Sequence, residues 1–531
     1  MTQSAGWELD FYDFQQVFPD DPSVEADIHA RARANGARQG TPLLTSPSGR
    51  PDARLNRFFR HGTMAGLRPQ TWRRYAYSIL VWLDFLEVRP RTWDEAVPGD
   101  VEAFKDWRLT DQRNPERVTP AAFSVDRAAL NALYAWAWQE YGIANPVPTV
   151  RRMPAPEGGP GTGAEGPGPR RRDGLRPAGA ARRQVKWMLR PAYRQWRDIG
   201  LRGYGFDGRR RPGWRGFNED RDVAFADGLY GTGLRLGEWA SILDVELPAD
   251  GTTGRYPMSW LPAACIKGGR EGRPYRVPRA VMPAIRSYLD PLEGSRADVI
   301  ERARRRGAYD QVAGLRIVTG YNPASRCLYI AGPDGSRPVS VNSLGPDERR
   351  RLFRRAPGGL EPLAVWLSVG GLPKMAHSWE DTFRAANERV RASWLAAGGA
   401  DEAQLFCRPH MLRHSFALKW FSVLSVVWDH RLEGFSEEER RDLRDQFGDI
   451  WYQLATLLGH ADPATTRTYY LEPFTGLDVN YLMSVLDDGE RTAIDALARA
   501  AGMAGGKTLA AITPPGAQAI ACYLDEDGGT R

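Results

Sequence analysis

Residues 451–471 read WYQLATLLGHADPATTRTYYL, and the fold of the last third of the chain turns on them. Leu454, Ala455, Leu457 and Leu458 mark a helix that runs into Gly459 and His460. Asp462 and Pro463 then signal a turn, and a short polar segment presents Tyr469 and Tyr470. On its own this is an apolar helix followed by a loop with two tyrosines. Its meaning comes from three stretches upstream: GTGLRLGE at 231–238, a lysine in a basic turn at Lys267, and HMLRH at 410–414. Arginine, lysine, histidine, arginine, histidine and tyrosine in that chain order are what a phosphodiester-cleaving site without a metal needs.

Each stretch also has a plainer meaning. VAFADGLYGTGLRLGEWASIL, from Val223, reads as helix, glycine break, helix, with Gly231 and Gly233 permitting a tight turn. Arg235 follows the break and Glu238 lies three residues on, on the same face, although an arginine there can simply be a helix-surface residue. CIKGGREGRPYRVP reads as two short strands around a Gly-rich turn. Lysines at hairpin tips are ordinarily solvated, yet a four-carbon arm placed there can reach a nucleic-acid groove and deliver a proton. His410, Arg413 and His414 share one helical turn, and the i, i+4 histidines raise a zinc helix as an alternative. That motif needs a glutamate after the first histidine; Met411 stands there instead, so His414 reads as structural or supporting.

The chain has 531 residues, too many for one core, so two or three domains are expected. Hydrophobic residues at 42% and 18 tryptophans exclude wholesale disorder. Net charge is +7, but the kind of base says more: six of the 72 basic residues are lysines, leaving 72 − 6 = 66 arginines. Guanidinium forks suit phosphate, and a GC-rich genome would produce the same bias. Four cysteines (265, 327, 407, 522) have neither metal-site nor disulfide spacing. No long apolar run and no signal-peptide pattern occurs, so a cytosolic protein without a membrane span is expected.

Along the chain, residues 1–65 are weakly patterned and suggest no chemistry. Three amphipathic helices follow, beginning near Thr71, Pro98 and Ser124, the last capped by Ser124 and stopped at Gly142; their aromatics read as core. A Gly/Pro/Arg-rich linker at 147–183 carries Arg170, Arg171 and Arg172. These three, with Arg209, Arg210 and Arg211, are either solvated or contacts to a phosphate backbone. Residues 280–400 hold helices around a strand-rich piece, LRIVTG to CLYIAG, with a basic, loop-like stretch through Arg355.

In this order, TGLRLGE, the Lys267 turn, HMLRHSFA and LLGHADPATTRTYY resemble the tyrosine recombinase (phage integrase) family over roughly 220–475. The helices before the linker look like its core-binding, SAM-like domain. The resemblance implies a mainly α chain with a small β-sheet or hairpin in the catalytic domain (α+β). Its divisions are an N-terminal extension at 1–65, a helical DNA-binding domain at 66–146, the linker at 147–183, a catalytic domain at 184–475, and a C-terminal helix and tail at 476–531. Long intervals before and after His410 imply insertions near 300–370 and 425–447.

Carried over position by position, the resemblance implies Arg235, Lys267, His410, Arg413 and His460 as catalytic residues, with Glu238 and His414 in support. The nucleophile, nine residues beyond the second histidine, is Tyr469 rather than Tyr470. The implied reaction is site-specific cleavage and rejoining of double-stranded DNA through a 3′-phosphotyrosine, with no metal, ATP or other cofactor, by a homo-oligomer (a tetramer on paired sites) that serves a mobile element. The C-terminal helix can dock on a neighbouring protomer or pack on its own domain. Two rivals use overlapping features: a type IB topoisomerase, which relaxes DNA rather than joining two sites, and a DNA-binding protein of this fold that does not cut.

Overall fold

The computed structural model describes residues 6–14, 29–67, 69–147, 186–249, 254–269, 271–400, 405–432, 435–436, 438–442, 449–460, 463, 466, 508–509 and 511–513. The chain divides into two compact units, Met1–Arg183 and Gln184–Arg531.

In the first unit, β1 (Glu8–Phe11) pairs antiparallel with β2 (Pro42–Thr45), ahead of α1 (Ala53–Arg57) and three longer helices, α2 (Pro69–Glu87), α3 (Pro98–Leu109) and α4 (Pro120–Tyr141). Along α2, Trp72, Ala76, Ile79, Leu83 and Leu86 recur at intervals of three or four and are buried, each large apolar side chain contributing roughly 1.5–3 kcal/mol. Helix α4 starts four residues earlier than its sequence suggests. Thr119 Oγ1 accepts the Ala122 N–H and Pro120 occupies the first turn, so Thr119 is the cap, while the Ser124 hydroxyl bonds back to the Pro120 carbonyl. Gly142, at φ 69°, closes the helix in the left-handed region.

The aromatics are core, as expected: Trp72, Trp82, Trp93 and Tyr134 are buried, and Trp82 Nε1 donates to Tyr134 Oη, which donates to the Trp93 carbonyl. Residues before the helices join them, since Leu44, Leu55, Phe58, Phe59 and Met64 lie in the same core. Their apolar character was visible in the sequence, but without a helical or alternating period it pointed to no element.

The second unit is built on α6 (Glu219–Thr232), which follows α5 (Arg190–Gly200) and packs against α8 (Met282–Leu289) and α11 (Pro409–Leu432). Helix α5 packs on α10 (Ser378–Ala396), and Gly200 sits where a β-carbon would lie 3.0 Å from Ala386. The expected hairpin is present: β4 (Met258–Leu261) and β5 (Arg273–Arg276) pair antiparallel, with Leu261 opposite Arg273.

The stretch through Arg355 is not loop-like. It supplies β8 and most of β9 of a five-stranded sheet whose β6 and β7 are the expected strand-rich piece, in the order β10 (Gly359–Pro362), β9 (Leu352–Ala356), β6 (Arg316–Asn322), β7 (Cys327–Gly332), β8 (Gly335–Ser340), with only the β6–β9 pair parallel. Arginine and glycine on its exposed faces mask the strand period. The side chain of Arg349 is 2% exposed and forms a fork on Glu246 at 2.7 and 2.6 Å, tying this sheet to the segment after the Arg235 turn.

The C-terminal helix read in the sequence lies outside the described residues. Further on, β11 (Thr508–Leu509) pairs parallel with β3 (Trp187–Met188) in the same unit, and Gln195 exchanges two 2.8 Å hydrogen bonds with the Ile512 backbone. No described helix is long and apolar enough to cross a membrane.

Candidate active site

Arg235 is set by the way α6 ends. Gly233 takes φ 65°, and a β-carbon there would lie 2.3 Å from Phe416, so two separate constraints require glycine. The turn is made by Gly233 alone. Gly231 stays inside α6, where its bare Cα admits Pro278 and Val281, with the nearest atom 2.9 Å from a β-carbon placed there.

Arg235 then caps α7 (Leu236–Ala240) with extended backbone. Glu238 reaches back: Oε2 accepts the Arg235 N–H at 2.8 Å and Oε1 accepts Nη1 at 2.8 Å. The Glu238 side chain is 2% exposed and that of Arg235 31%, so the carboxylate is buried beneath a guanidinium that stays accessible. Burial alone would raise the Glu238 carboxyl, but the Arg235 backbone N–H and the guanidinium groups of Arg235, Arg273 and Arg413 outweigh it. The carboxyl is held below the usual carboxylate range.

Arg413, on the first turns of α11, is buried. Nη1 donates to the Gly233 carbonyl at 2.5 Å, and Nη2 to the Leu458 carbonyl at 2.7 Å and to His460 Nε2 at 3.0 Å. Those carbonyls belong to the C-terminal ends of α6 and of α12 (Ile450–Leu458), where carbonyls lack helical partners and the helix dipole is negative. A fixed cation is therefore well placed between two such ends. One side chain joins three helices that are distant in sequence.

Helix α12 begins at Asp449, whose side chain accepts the Tyr452 N–H, and ends at Gly459, φ 67°. His460 follows, its N–H on the Ala455 carbonyl at 2.9 Å. Guanidinium groups only donate, so His460 Nε2 must present its lone pair to Arg413. Its Nδ1 then carries the proton and donates to Thr466 Oγ1 at 2.8 Å, which fixes the tautomer by hydrogen bonding. Burial, then the charges of Arg413, Arg235 and Arg273, push the imidazole down to about 4, opposed by Glu238.

This depression predicts a pH dependence. At neutral pH the imidazole is uncharged in both folded and unfolded chains. As pH falls below the ordinary value of 6.5, the unfolded chain takes up the proton first, so this residue withdraws stability down to about pH 4 and adds no further loss below it. The melting temperature of the second unit should fall more steeply between pH 6.5 and 4 in the native protein than in a His460→Gln variant; parallel curves would contradict the assignment.

Of the other expected site residues, His410 is exposed, with its ring centroid 4.5 Å from that of buried His414. Lys267 is exposed in the connection between β4 and β5, beside Gly268 at φ 69°. Arg210 pairs with Glu219, the Arg211 guanidinium bonds to the Arg389 carbonyl, and Arg209 is exposed. Tyr469, Tyr470 and Arg170–Arg172 lie outside the described residues. The sequence reading missed Arg273 and Thr466: the first is one arginine among 66, and the second is an unremarked hydroxyl beside the two tyrosines. Among the described residues, no three His, Cys, Asp or Glu side chains gather as a metal site.

Residues 55–141 match the phage integrase N-terminal SAM-like domain family. That helical segment belongs to the family, and the resemblance to the tyrosine recombinase (phage integrase) family holds there. Solved structures similar to the chain include the XerH site-specific recombinase bound to palindromic difH substrate, with 11% identity over 80% of this chain and 82% of that one and a TM-score of 0.41. The Tn1549 transposon integrase in complex with circular intermediate DNA has 13% identity, coverage of 78% and 94%, and a TM-score of 0.37. XerA recombinase has 14%, 78%, 92% and 0.25. No curated protein sequence matches the chain.

Proposed function

We propose that the chain is a site-specific DNA recombinase or integrase that cuts and rejoins duplex DNA through a 3′-phosphotyrosine at Tyr469, without metal or ATP, in the service of a mobile element. The observation that carries this is the assembly of buried Arg413 and Glu238 with half-buried His460, which holds the accessible Arg235 guanidinium over a site of net positive charge.

A phosphodiester repels an anionic attacker, and a tyrosine with its ordinary pKa near 10 is a weak nucleophile at neutral pH. Guanidinium groups on the non-bridging oxygens offset the repulsion and stabilise the added charge of the transition state. In the cleavage step Tyr469 Oη bonds to phosphorus, the P–O5′ bond breaks, Lys267 Nζ gives its proton to the leaving O5′, and the phenolic proton passes to His410. Attack by a 5′ hydroxyl of the partner duplex reverses these steps on a new strand. One phosphodiester is formed for each one broken, so no ATP is consumed. The natural partners are double-stranded DNA and further copies of the chain, as a tetramer on paired sites in the nucleoid.

The role of Lys267 is tested with nicked duplexes taken from DNA flanking the gene. On ordinary DNA, Lys267→Ala should lose roughly 10²-fold or more in covalent adduct formation. On DNA with sulfur in place of the bridging O5′, whose thiolate leaves without a proton, the rate should recover. A loss that persists on the sulfur substrate removes Lys267 as the acid. Efficient relaxation of supercoiled DNA that lacks the flanking sites would favour a topoisomerase instead.

A further inference from the structure

Arg273, the first residue of β5, has no part in the chemistry just described, yet it lies inside the cluster. Its side chain is 15% exposed, and Nη2 stands 3.5 Å from Glu238 Oε2, the oxygen that also accepts the Arg235 backbone N–H. Among the described residues, its buried Nε and Nη1 have no hydrogen-bond partner. It also occupies the space beside Gly459 where a β-carbon would stand, 2.0 Å from Nε.

A buried guanidinium with orphaned donors is unfavourable, and such groups normally sit where a partner or a function offsets the penalty. Here Arg235, Arg273 and Arg413 supply three positive charges against the one carboxylate of Glu238, with His460 neutral. The excess charge lies behind the accessible Arg235 guanidinium.

We propose that Arg273 is a positioning residue of the phosphate site: it fixes Glu238, and through it Arg235, from below, and it sets Gly459 and hence His460 in place while adding positive charge that favours an anion. This rests on the phosphodiester-cleaving function proposed above. Arg273 acts through its neighbours, because its own buried donors do not reach the accessible face. Desolvation, with repulsion from Arg413 and Arg235, brings its own pKa down to about 10, so it is still charged at neutral pH. The groups that bear on His460 are Arg413, Arg235, Arg273 and Glu238, together with the Thr466 hydroxyl. Removing one cation from that set should move the imidazole back toward its ordinary value.

The test uses the full chain with Arg273→Met, of similar length and uncharged, and Arg273→Lys, which keeps the charge. Ring-carbon NMR titration, with the His460 signal identified by its loss in His460→Gln, should show a higher His460 pKa in Arg273→Met and a value close to native in Arg273→Lys. On nicked flanking duplex, single-turnover adduct formation by Arg273→Met should fall by roughly 10- to 100-fold, with half-saturating DNA changed by less than about threefold. The lysine should restore part of the rate.

An unchanged His460 titration in a folded Arg273→Met protein overturns the proposal, as does a native adduct rate. If Arg273→Met does not fold, Arg273→Lys decides: a rate below native by up to about tenfold with an unshifted melting temperature supports positioning by the planar fork, and a native rate contradicts it. If native protein forms no adduct at all, the proposed function fails, while the titration still decides whether Arg273 sets His460.

Discussion

Replacing Arg413 with alanine is expected to lower covalent adduct formation by about 10³-fold or more and to destabilise the catalytic unit as well. Removing a single preorganised donor from a transition-state site typically lowers the rate roughly 10²–10³-fold. This side chain, besides its proposed role at the phosphate, bonds to Gly233, Leu458 and His460. Its loss leaves two buried carbonyls at helix C-termini without their guanidinium donor, each penalised by about 1–3 kcal/mol, so melting temperature and rate should fall together. Arg413→Lys separates the two effects. A lysine keeps the charge but lacks the fork that spans three acceptors, so stability should recover in part while the rate stays roughly 10²-fold or more below native. A near-native rate in the lysine protein would show that charge alone suffices there.

Gly459→Ala should be nearly as damaging although it removes no functional group. At φ 67° an L-residue is disfavoured by about 1–2 kcal/mol, and the new methyl would fall 2.0 Å from Arg273 Nε, in a place where the arginine is already buried. Overpacking of this kind adds about 1–3 kcal/mol. Relief requires either His460 or Arg273 to move, and both belong to the charge cluster. Thermal denaturation and adduct formation should therefore both suffer in Gly459→Ala, whereas a stable, active protein would mean that Gly459 and Arg273 are not packed as described.

Much of the site was legible in the sequence because it hangs on helix ends, and helix ends have local signatures. The glycines at 233 and 459 marked the places where backbone leaves a helix, and Arg235 with Glu238 fell at the spacing of a reciprocal cap. What was not legible is what approaches those turns from elsewhere. That Gly233 must admit Phe416 and Gly459 must admit Arg273 depends on side chains 183 and 186 positions away (416 − 233; 459 − 273). The same limit explains what was missed of the sheet at 316–362: β6 and β7 were legible as a strand-rich piece, but the order places β6 beside β9 across two intervening strands, and the exposed Gly335, Arg337 and Arg355 hide the alternation that β8 and β9 would otherwise show. In the first unit the helices followed from their apolar period, while Leu44, Leu55 and Phe58 joined the core through contacts that no period announces.

The most direct measurement of the central claim is the covalent adduct itself. Full-length protein is incubated with a nicked flanking duplex that loses its 5′ fragment on cleavage, and the modified peptide is located by mass spectrometry. The account predicts a DNA 3′ phosphate on Tyr469, abolished in Tyr469→Phe and retained in Tyr470→Phe. An adduct that survives in Tyr469→Phe, or that maps to any other side chain, would contradict it.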